Sequence, residues 1–403
     1  MLKTPKNICC GCGACQQACP VQCIELRPDN KGFLYPTVDK RRCIKCGKCE
    51  RVCPALKENT YNNLPQIYAA KNGDLQKRLN SSSGGVFSML AEKVIAEDGI
   101  VFGTKWNNTF EAVVDWTDSI EGLTAFRGSK YLQSVIGNNY KKVEEFLGKG
   151  KFVLFSGTPC QINGLKSYLG KEYENLLTIE VICHGVPSPL VWQKYLKSIV
   201  RPQGGDGRNT VSLSLKLSSV ITGVNFRDKA NGWKKYGFRI DYGSADESAE
   251  QNSVFELTKN PYIEPFDQND YMRAFLSNLS LRPSCFDCKA KSGNSGADIT
   301  IGDLWGVDKL NPEIDDDKGI SLIIIHSEKA QEHIKDINIA LVKVSDEYIK
   351  KYNPSYLRSV EQPYLYEYFW RQFKRHGINA LTKTRRYHPS LFYRFYKRFK
   401  RVL

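Results

Sequence analysis

The residues equipped for chemistry stand at the start of the chain. Cys9, Cys12, Cys15 and Cys19, followed by Pro20, form a C-x2-C-x2-C-x3-C-P run. Cys43, Cys46, Cys49 and Cys53, followed by Pro54, repeat that run with every spacing kept. Such runs present thiolates to iron–sulfur cubanes: three cysteines bind one cluster and the fourth is lent to the other, which locks the two halves together. The pair predicts two 4Fe-4S clusters and one-electron chemistry. A helical-repeat array can show a similar period, but here only the cysteine pattern recurs, and only twice.

The chain has 14 cysteines. Beyond the eight in the runs there remain Cys10, Cys23, Cys160, Cys183, Cys285 and Cys288. Cys10 and Cys23 fall outside the ligand spacing and read as small packing residues, since a buried thiol behaves as a small hydrophobe. Cys160 follows Gly157-Thr158-Pro159, Cys183 opens Cys183-His184-Gly185-Val186-Pro187, and Cys285-Phe286-Asp287-Cys288 is a C-x2-C pair. Four thiolates suit a third cubane or a structural zinc; the alternative is four ordinary buried cysteines. Ser82-Ser83-Gly84-Gly85 leads into a helical pattern. Backbone N–H groups and the positive dipole end there suit a pyrophosphate, although serine also serves simply as an N-cap. Neither G-x-G-x-x-G nor G-x-x-x-x-G-K-[ST] occurs. A cubane passes one electron, whereas most organic substrates take two with protons, and a flavin converts between the two. No catalytic triad stands out, so the catalytic residues are unassigned. His184 reads as a hydrogen-bonding loop residue.

The elements that must position these groups follow in order. Cys23-Ile24-Glu25-Leu26 and Phe33-Leu34-Tyr35 flank Pro28-Asp29-Asn30-Lys31-Gly32 as a short hairpin. Residues 58–65 read as a polar linker. Strands are expected at Ile67–Ala70, Ile100–Gly103, Ala112–Trp116, Phe152–Ser156, Leu177–Ile182, Ala297–Gly306 and Leu322–Ile325. Helices are expected at Val86–Ile95, Asn139–Leu147, Asp267–Leu279 and from Glu328. Strands alternating with helices predict an α/β core with parallel pairing. From Gly204 to about Gly243 alternation such as Val211–Leu217 predicts an antiparallel β insertion. The fold class is thus α+β and α/β: a small two-cluster ferredoxin domain (1–57) fused to a larger α/β flavin-binding domain, in an N-terminal part (66–145) and a C-terminal part (146–350). A basic aromatic tail follows (351–403).

At 403 residues the chain exceeds a ferredoxin alone, and its 41% hydrophobic and 25% charged residues are ordinary for globular proteins. No apolar run approaches the length needed to span a bilayer. Met1–Ile8 shows no secretory core, so the cysteines read as metal ligands rather than disulfides and the location as cytoplasmic. The formal charge of +15 is concentrated in the tail: residues 383–403 hold eight Lys or Arg and no Asp or Glu. Phe392, Phe395, Phe399 and Val402 stand there at helical spacing, which suits either a peripheral contact with the inner face of an anionic membrane or docking on the protein body. Nucleic acid is not expected as a partner, because no recognised motif accompanies the charge.

From about Gln66 to Ile325 the chain resembles the beta subunits of coenzyme F420 hydrogenases and dehydrogenases. The resemblance rests on Ser82–Gly85, Arg127-Gly128-Ser129-Lys130-Tyr131, Gly157–Gln161, Cys183–Ser188, Phe226-Arg227-Asp228-Lys229 with Gly232-Trp233, Cys285–Cys288, and Ala297-Asp298-Ile299 with Gly302–Gly306. It implies an FAD-binding domain with one 4Fe-4S cluster near the flavin. Ser83, Gly84 and Gly85 would face the pyrophosphate, and Lys130 and Tyr131 would lie near the flavin. It implies as ligands of the third cluster Cys160, Cys183, Cys285 and Cys288, the set that cysteine counting also leaves. In relatives the flavin exchanges electrons between clusters and a deazaflavin coenzyme. The expected function is an iron–sulfur flavoprotein oxidoreductase, served by a redox partner protein or small electron carrier and acting on an organic acceptor. The alternatives are a non-catalytic electron-transfer subunit of a partner enzyme, for instance in polysaccharide biosynthesis, and a scaffold tethered by its tail.

Overall fold

The computed structural model describes residues 4–57, 65–199, 221–243, 261–335, 337 and 339–385. The N-terminal unit holds α1 (Ala14–Gln17), β1 (Ile24–Pro28), β2 (Leu34–Val38) and α2 (Lys48–Arg51). β1 and β2 pair antiparallel from Ile24 opposite Val38 to Pro28 opposite Leu34. Their turn is closed by Asp29, whose carboxylate accepts from the Lys31 and Phe33 amides, the local hydrogen bonding that makes aspartate a turn residue. Each cysteine run enters its helix through a left-handed glycine, Gly13 at φ +77 and Gly47 at φ +72. A side chain at either position would strain that backbone.

The large unit is built on one eight-stranded mixed sheet. Its strands and helices are β3 (Gln66–Lys71), α3 (Leu75–Leu79), α4 (Val86–Ala96), β4 (Ile100–Trp106), β5 (Ala112–Thr117), α5 (Asn139–Gly148), β6 (Val153–Gly157), α6 (Pro159–Leu169), β7 (Leu176–Val181) and α7 (Pro189–Ile199). They continue with β8 (Ile221–Asp228), β9 (Gly237–Tyr242), β10 (Tyr262–Pro265), β11 (Ile299–Asp303), β12 (Ser321–Ile325) and β13 (Ala340–Lys343). The order is β13-β3-β12-β11-β7-β6-β4-β5. Neighbours within β11-β7-β6-β4 pair in parallel, and the flanking strands pair antiparallel.

Both faces of the sheet are covered, as parallel strands require. Ile100, Phe102, Val153 and Phe155 pack with Tyr140 and Val143 of α5 and Ile162 and Leu165 of α6. Their alternates Val101 and Leu154 pack with Val86, Leu90 and Val94 of α4. This is the two-residue period of a strand, expressed as two helical layers.

Strands β8, β9 and β10 form a separate three-stranded antiparallel sheet. The alternating Val211–Leu217 stretch of the expected insertion lies outside the described residues. The expected helix at Asp267–Leu279 is shorter, Asp270–Leu276, with Asn269 capping it by accepting from the Met272 amide. The expected tail needs correction. Residues 351–385 are folded, and in the helix Tyr366–His376 the side chains of Tyr366, Phe369, Trp370 and Phe373 are buried in the largest core cluster. Their spacing of three and four residues puts them on one helical face. The tail's final helical pattern, Ser390–Val402, lies outside the described residues.

The N-terminal unit shares this core. Cys9, Phe33 and Tyr35 pack with Trp192 of α7 and with Phe369 and Trp370. Cys12, Ala14, Ala18 and Val52 join the layer of α5 and α6.

Candidate functional site

The eight run cysteines ring two hollows. One is walled by Cys9, Cys12, Cys15 and Cys53, the other by Cys43, Cys46, Cys49 and Cys19. Each hollow therefore takes three cysteines from one run and the fourth from the other, the exchange expected of a pair of cubanes. The two spare cysteines are also in these walls: Cys10 borders the first hollow and Cys23 the second. The Cys23 Sγ is 3.5 Å from the Cys19 Sγ. Among the described residues no three His, Cys, Asp or Glu side chains converge tightly enough for a single metal ion; a cubane instead spreads its thiolates over separate iron corners.

Cys160 and Cys183 follow the C-terminal ends of adjacent parallel strands. β6 runs into Thr158-Pro159-Cys160, and β7 runs into Ile182-Cys183. Open α/β sheets place ligands at these carboxyl ends. α6 begins beneath Cys160, with Gln161 Oε1 accepting from the Thr158 amide at 2.9 Å, the reach-back half of a capping box. Cys285 sits in a 3-10 turn, Pro283–Asp287, and Cys288 follows it. An isolated bridge, Pro187 to Leu281, brings this turn beside the Cys183 loop. Arg282 N–H donates to the Val186 carbonyl, and Val186 N–H donates to the Cys285 Sγ at 3.4 Å. The Lys291 ammonium donates to the Cys183 carbonyl.

The four thiols feel one another electrostatically, and burial dominates in three: it pushes Cys183 up to about 12, Cys288 up to about 11, and Cys285 strongly up. For Cys160 the hydrogen bond with Cys10 is the larger cause, with burial second. Cys10 is itself pushed well up, with Cys12 the largest cause, and it borders the first hollow. A metal centre here binds thiolates, so loading it releases protons from these raised thiols.

Arg282 holds the two units together. It is fully buried. Its Nε donates to the Cys9 carbonyl at 2.8 Å, its Nη2 to the Leu34 carbonyl at 2.9 Å, and its Nη1 to Gln133 Oε1 at 2.9 Å. The guanidinium lies 4.2 Å from the Tyr35 ring centroid. Sequence reasoning missed it; the available signal was an arginine three residues before Cys285.

The residues expected near a flavin are brought together, the serine–glycine turn against the Ser129-Lys130-Tyr131 segment. The Ser82 hydroxyl accepts from the Ser129 amide at 2.7 Å. The Ser83 hydroxyl donates to the Ile320 carbonyl, and the Gly84 amide donates to the Ser321 hydroxyl. These two groups are thus tied into the protein rather than offered to a phosphate, while Gly85 caps α4 in the left-handed region at φ +80. Lys130 donates its ammonium to the Ala125 and Arg127 carbonyls, and burial pulls it down to about 7.

Tyr131 packs 4.9 Å from Phe275, which lies 5.2 Å from His184. These three rings link the Cys183 loop to the serine–glycine turn. The His184 Nε2 is 2.6 Å from Asn278 Oδ1, in keeping with a loop hydrogen-bonding role. Arg227 stands over the Tyr236 ring at 4.0 Å and pairs with Asp303 at 3.0 Å. Its Nε is buried with no partner among the described residues. Lys229 donates to the carbonyls of Arg78, Ser83 and Lys318.

Residues 150–348 match the family described as the C-terminal part of the beta subunit of coenzyme F420 hydrogenase/dehydrogenase. Residues 8–56 match the 4Fe-4S dicluster domain. The chain thus joins a domain of the coenzyme F420 hydrogenase/dehydrogenase beta subunit family to a 4Fe-4S dicluster domain. It is an iron–sulfur, oxidoreductase-type electron-transfer subunit of that family, with 4Fe-4S clusters in its N-terminal domain. Among solved structures, a chain of the F420-reducing [NiFe] hydrogenase complex from Methanosarcina barkeri is similar at 16% identity and a TM-score of 0.41, covering 80% of this chain and 92% of that one. No curated protein matches the chain. Among the described residues no helix is long and apolar enough to cross a membrane.

Proposed function

We propose that this family member is a flavin-dependent oxidoreductase with three cubanes in series. Cys9, Cys12, Cys15 and Cys53 hold the first, Cys43, Cys46, Cys49 and Cys19 the second, and Cys160, Cys183, Cys285 and Cys288 the third. The observation that carries this reading is the packing of α6, which begins at Pro159-Cys160, against the first hollow, with its Gly164 set close on Cys12. The residues fit FAD on one further observation. Arg227 offers a buried donor without a partner beside Ser82 and among Tyr131, Tyr236 and Trp305, and an anionic aromatic cofactor satisfies such a group.

When bound, the flavin supplies the conversion between one-electron and two-electron transfer. In this reading Arg227 orients the cofactor, the turn Ser83, Gly84 and Gly85, braced on Ile320 and Ser321, shapes the wall beside it, and Lys130 and Tyr131 line the approach to it. The organic acceptor is a deazaflavin coenzyme or another small molecule. A redox partner protein, or a small carrier, exchanges electrons with the N-terminal domain. The test is anaerobic reconstitution of the full chain with iron, sulfide and FAD. The expected load is about twelve irons and one flavin per chain; eight irons and no retained flavin would reduce the molecule to a two-cluster electron-transfer subunit.

A further inference from the structure

The two cysteine runs share their spacing but not their other residues. From Ile8 to Cys23 there is no charged residue. From Lys40 to Arg51 there are six Lys or Arg (Lys40, Arg41, Arg42, Lys45, Lys48 and Arg51) and one acid, Glu50. The structure gives a reason for the asymmetry. The neutral run lies against the large unit: α1 packs on α6, and a Cβ added at Gly164 of α6 would come within 2.7 Å of the Cys12 Cβ. The basic run faces out. Cys46 is exposed, and so are all six basic residues. Ile44, in the wall of the second hollow, is 62% exposed. Glu50 keeps one carboxylate oxygen buried, so the charge shown to solvent is positive.

We infer that this face is the docking surface for an acidic, one-electron carrier protein that exchanges electrons with the cluster held by Cys43, Cys46, Cys49 and Cys19. The inference rests on the reading that both hollows hold cubanes. Three features fit such a partner. A basic rim around a redox centre raises the encounter rate of an acidic protein and orients it. Ile44 supplies an apolar contact inside that rim, beside the thiolates through which an electron leaves. The second hollow is the outer one, so a carrier docked there leaves the inner cluster free to face Cys160. The step balances simply: the carrier loses one electron, the second cluster gains it, and no proton or bond is involved.

The test uses the reconstituted full chain and, as probe, a reduced acidic ferredoxin mixed in stopped flow. Lys40→Glu, Arg41→Glu and Lys48→Glu are combined. Arg42 and Arg51 are spared because they donate to the Val21 and Cys46 carbonyls, and Lys45 because it sits at φ +56 within the ligand loop. The wild-type second-order rate is expected to fall steeply with added salt. The triple variant is expected to be at least tenfold slower at low ionic strength, with unchanged reduction by a small viologen radical and unchanged EPR signals. An equal rate for variant and wild type, with intact signals, overturns the docking surface. A variant that loses binding to anionic vesicles but keeps its carrier rate overturns it too, and assigns the patch to a membrane. If the reconstituted wild type gives no 4Fe-4S signals from the N-terminal domain, the underlying cluster reading fails, a result distinguishable from both.

Discussion

Arg282 is the residue at which cluster chemistry and domain docking meet. One planar guanidinium satisfies two carbonyls of the N-terminal unit and one amide oxygen of the large unit, a fork that lysine does not reproduce. Arg282→Met keeps the stem but strands the buried Cys9 and Gln133 acceptors and the half-buried Leu34 carbonyl, so stability should fall by about 3 kcal/mol, read from unfolding of the reconstituted protein. The same change removes a positive charge beside Cys9. The reduction potential of the adjacent cluster should move negative in an EPR-monitored titration, and an unchanged potential would confine Arg282 to a structural role. Glu180 gives a pH signature. Burial is the main cause pushing its carboxyl up to about 7, against the Ser295 and Thr300 hydroxyls that donate to it. The folded value lies above that of a free glutamate, so the protonated form favours the fold and stability declines as pH rises from about 5 through 7. Glu180→Gln should flatten that decline and raise the unfolding free energy at pH 8 by about 1–3 kcal/mol.

At the scale of elements, two helices hold the N-terminal unit against the large one. α6 carries Cys160 at its start and Gly164 against Cys12. Gly164→Val should push α1 away from α6, costing about 1–3 kcal/mol as overpacking does; in the three-cluster reading proposed above it should also slow electron transfer from the first cluster to the third in rapid-mixing spectroscopy more than it slows reduction of the first. The helix Tyr366–His376 clasps the hairpin from the other side, with Trp370 6.2 Å from Phe33 and the Lys31 ammonium 4.6 Å from the Tyr366 ring. Trp370→Ala should cost about 3–5 kcal/mol and expose the hairpin turn at Lys31 to limited trypsin digestion. If trypsin cuts variant and wild type alike there, the helix does not hold the hairpin.

Across the whole molecule the arrangement is a succession of neighbours. It runs from an exposed basic face at the second hollow, through the first hollow and the Cys10 contact, to the four cysteines at the carboxyl ends of β6 and β7. Beyond them His184, Phe275 and Tyr131 lead to Arg227 and the serine–glycine turn. The sheet provides the order: neighbouring parallel strands set Cys160 and Cys183 side by side although 23 positions separate them.

Covalent spacing by itself determined the two N-terminal clusters, since three cysteines within seven residues can reach one cubane only through local backbone geometry. Strand and helix periodicity likewise determined most of the core elements, because burial on a sheet or helix face imposes period two or three-to-four. The sequence counted four further cysteines but left open what they do. Only the tertiary structure brought them to one place, because long-range strand pairing and the Pro187–Leu281 bridge are encoded in no local pattern. It also gave Cys10 and Cys23 places in the cluster walls, drew the helix Tyr366–His376 from the supposed tail into the core, and tied Ser83 and Gly84 into the protein. It revealed Arg282 as the link between the units. In each case the deciding interaction joins residues far apart in the chain, where spacing carries no information.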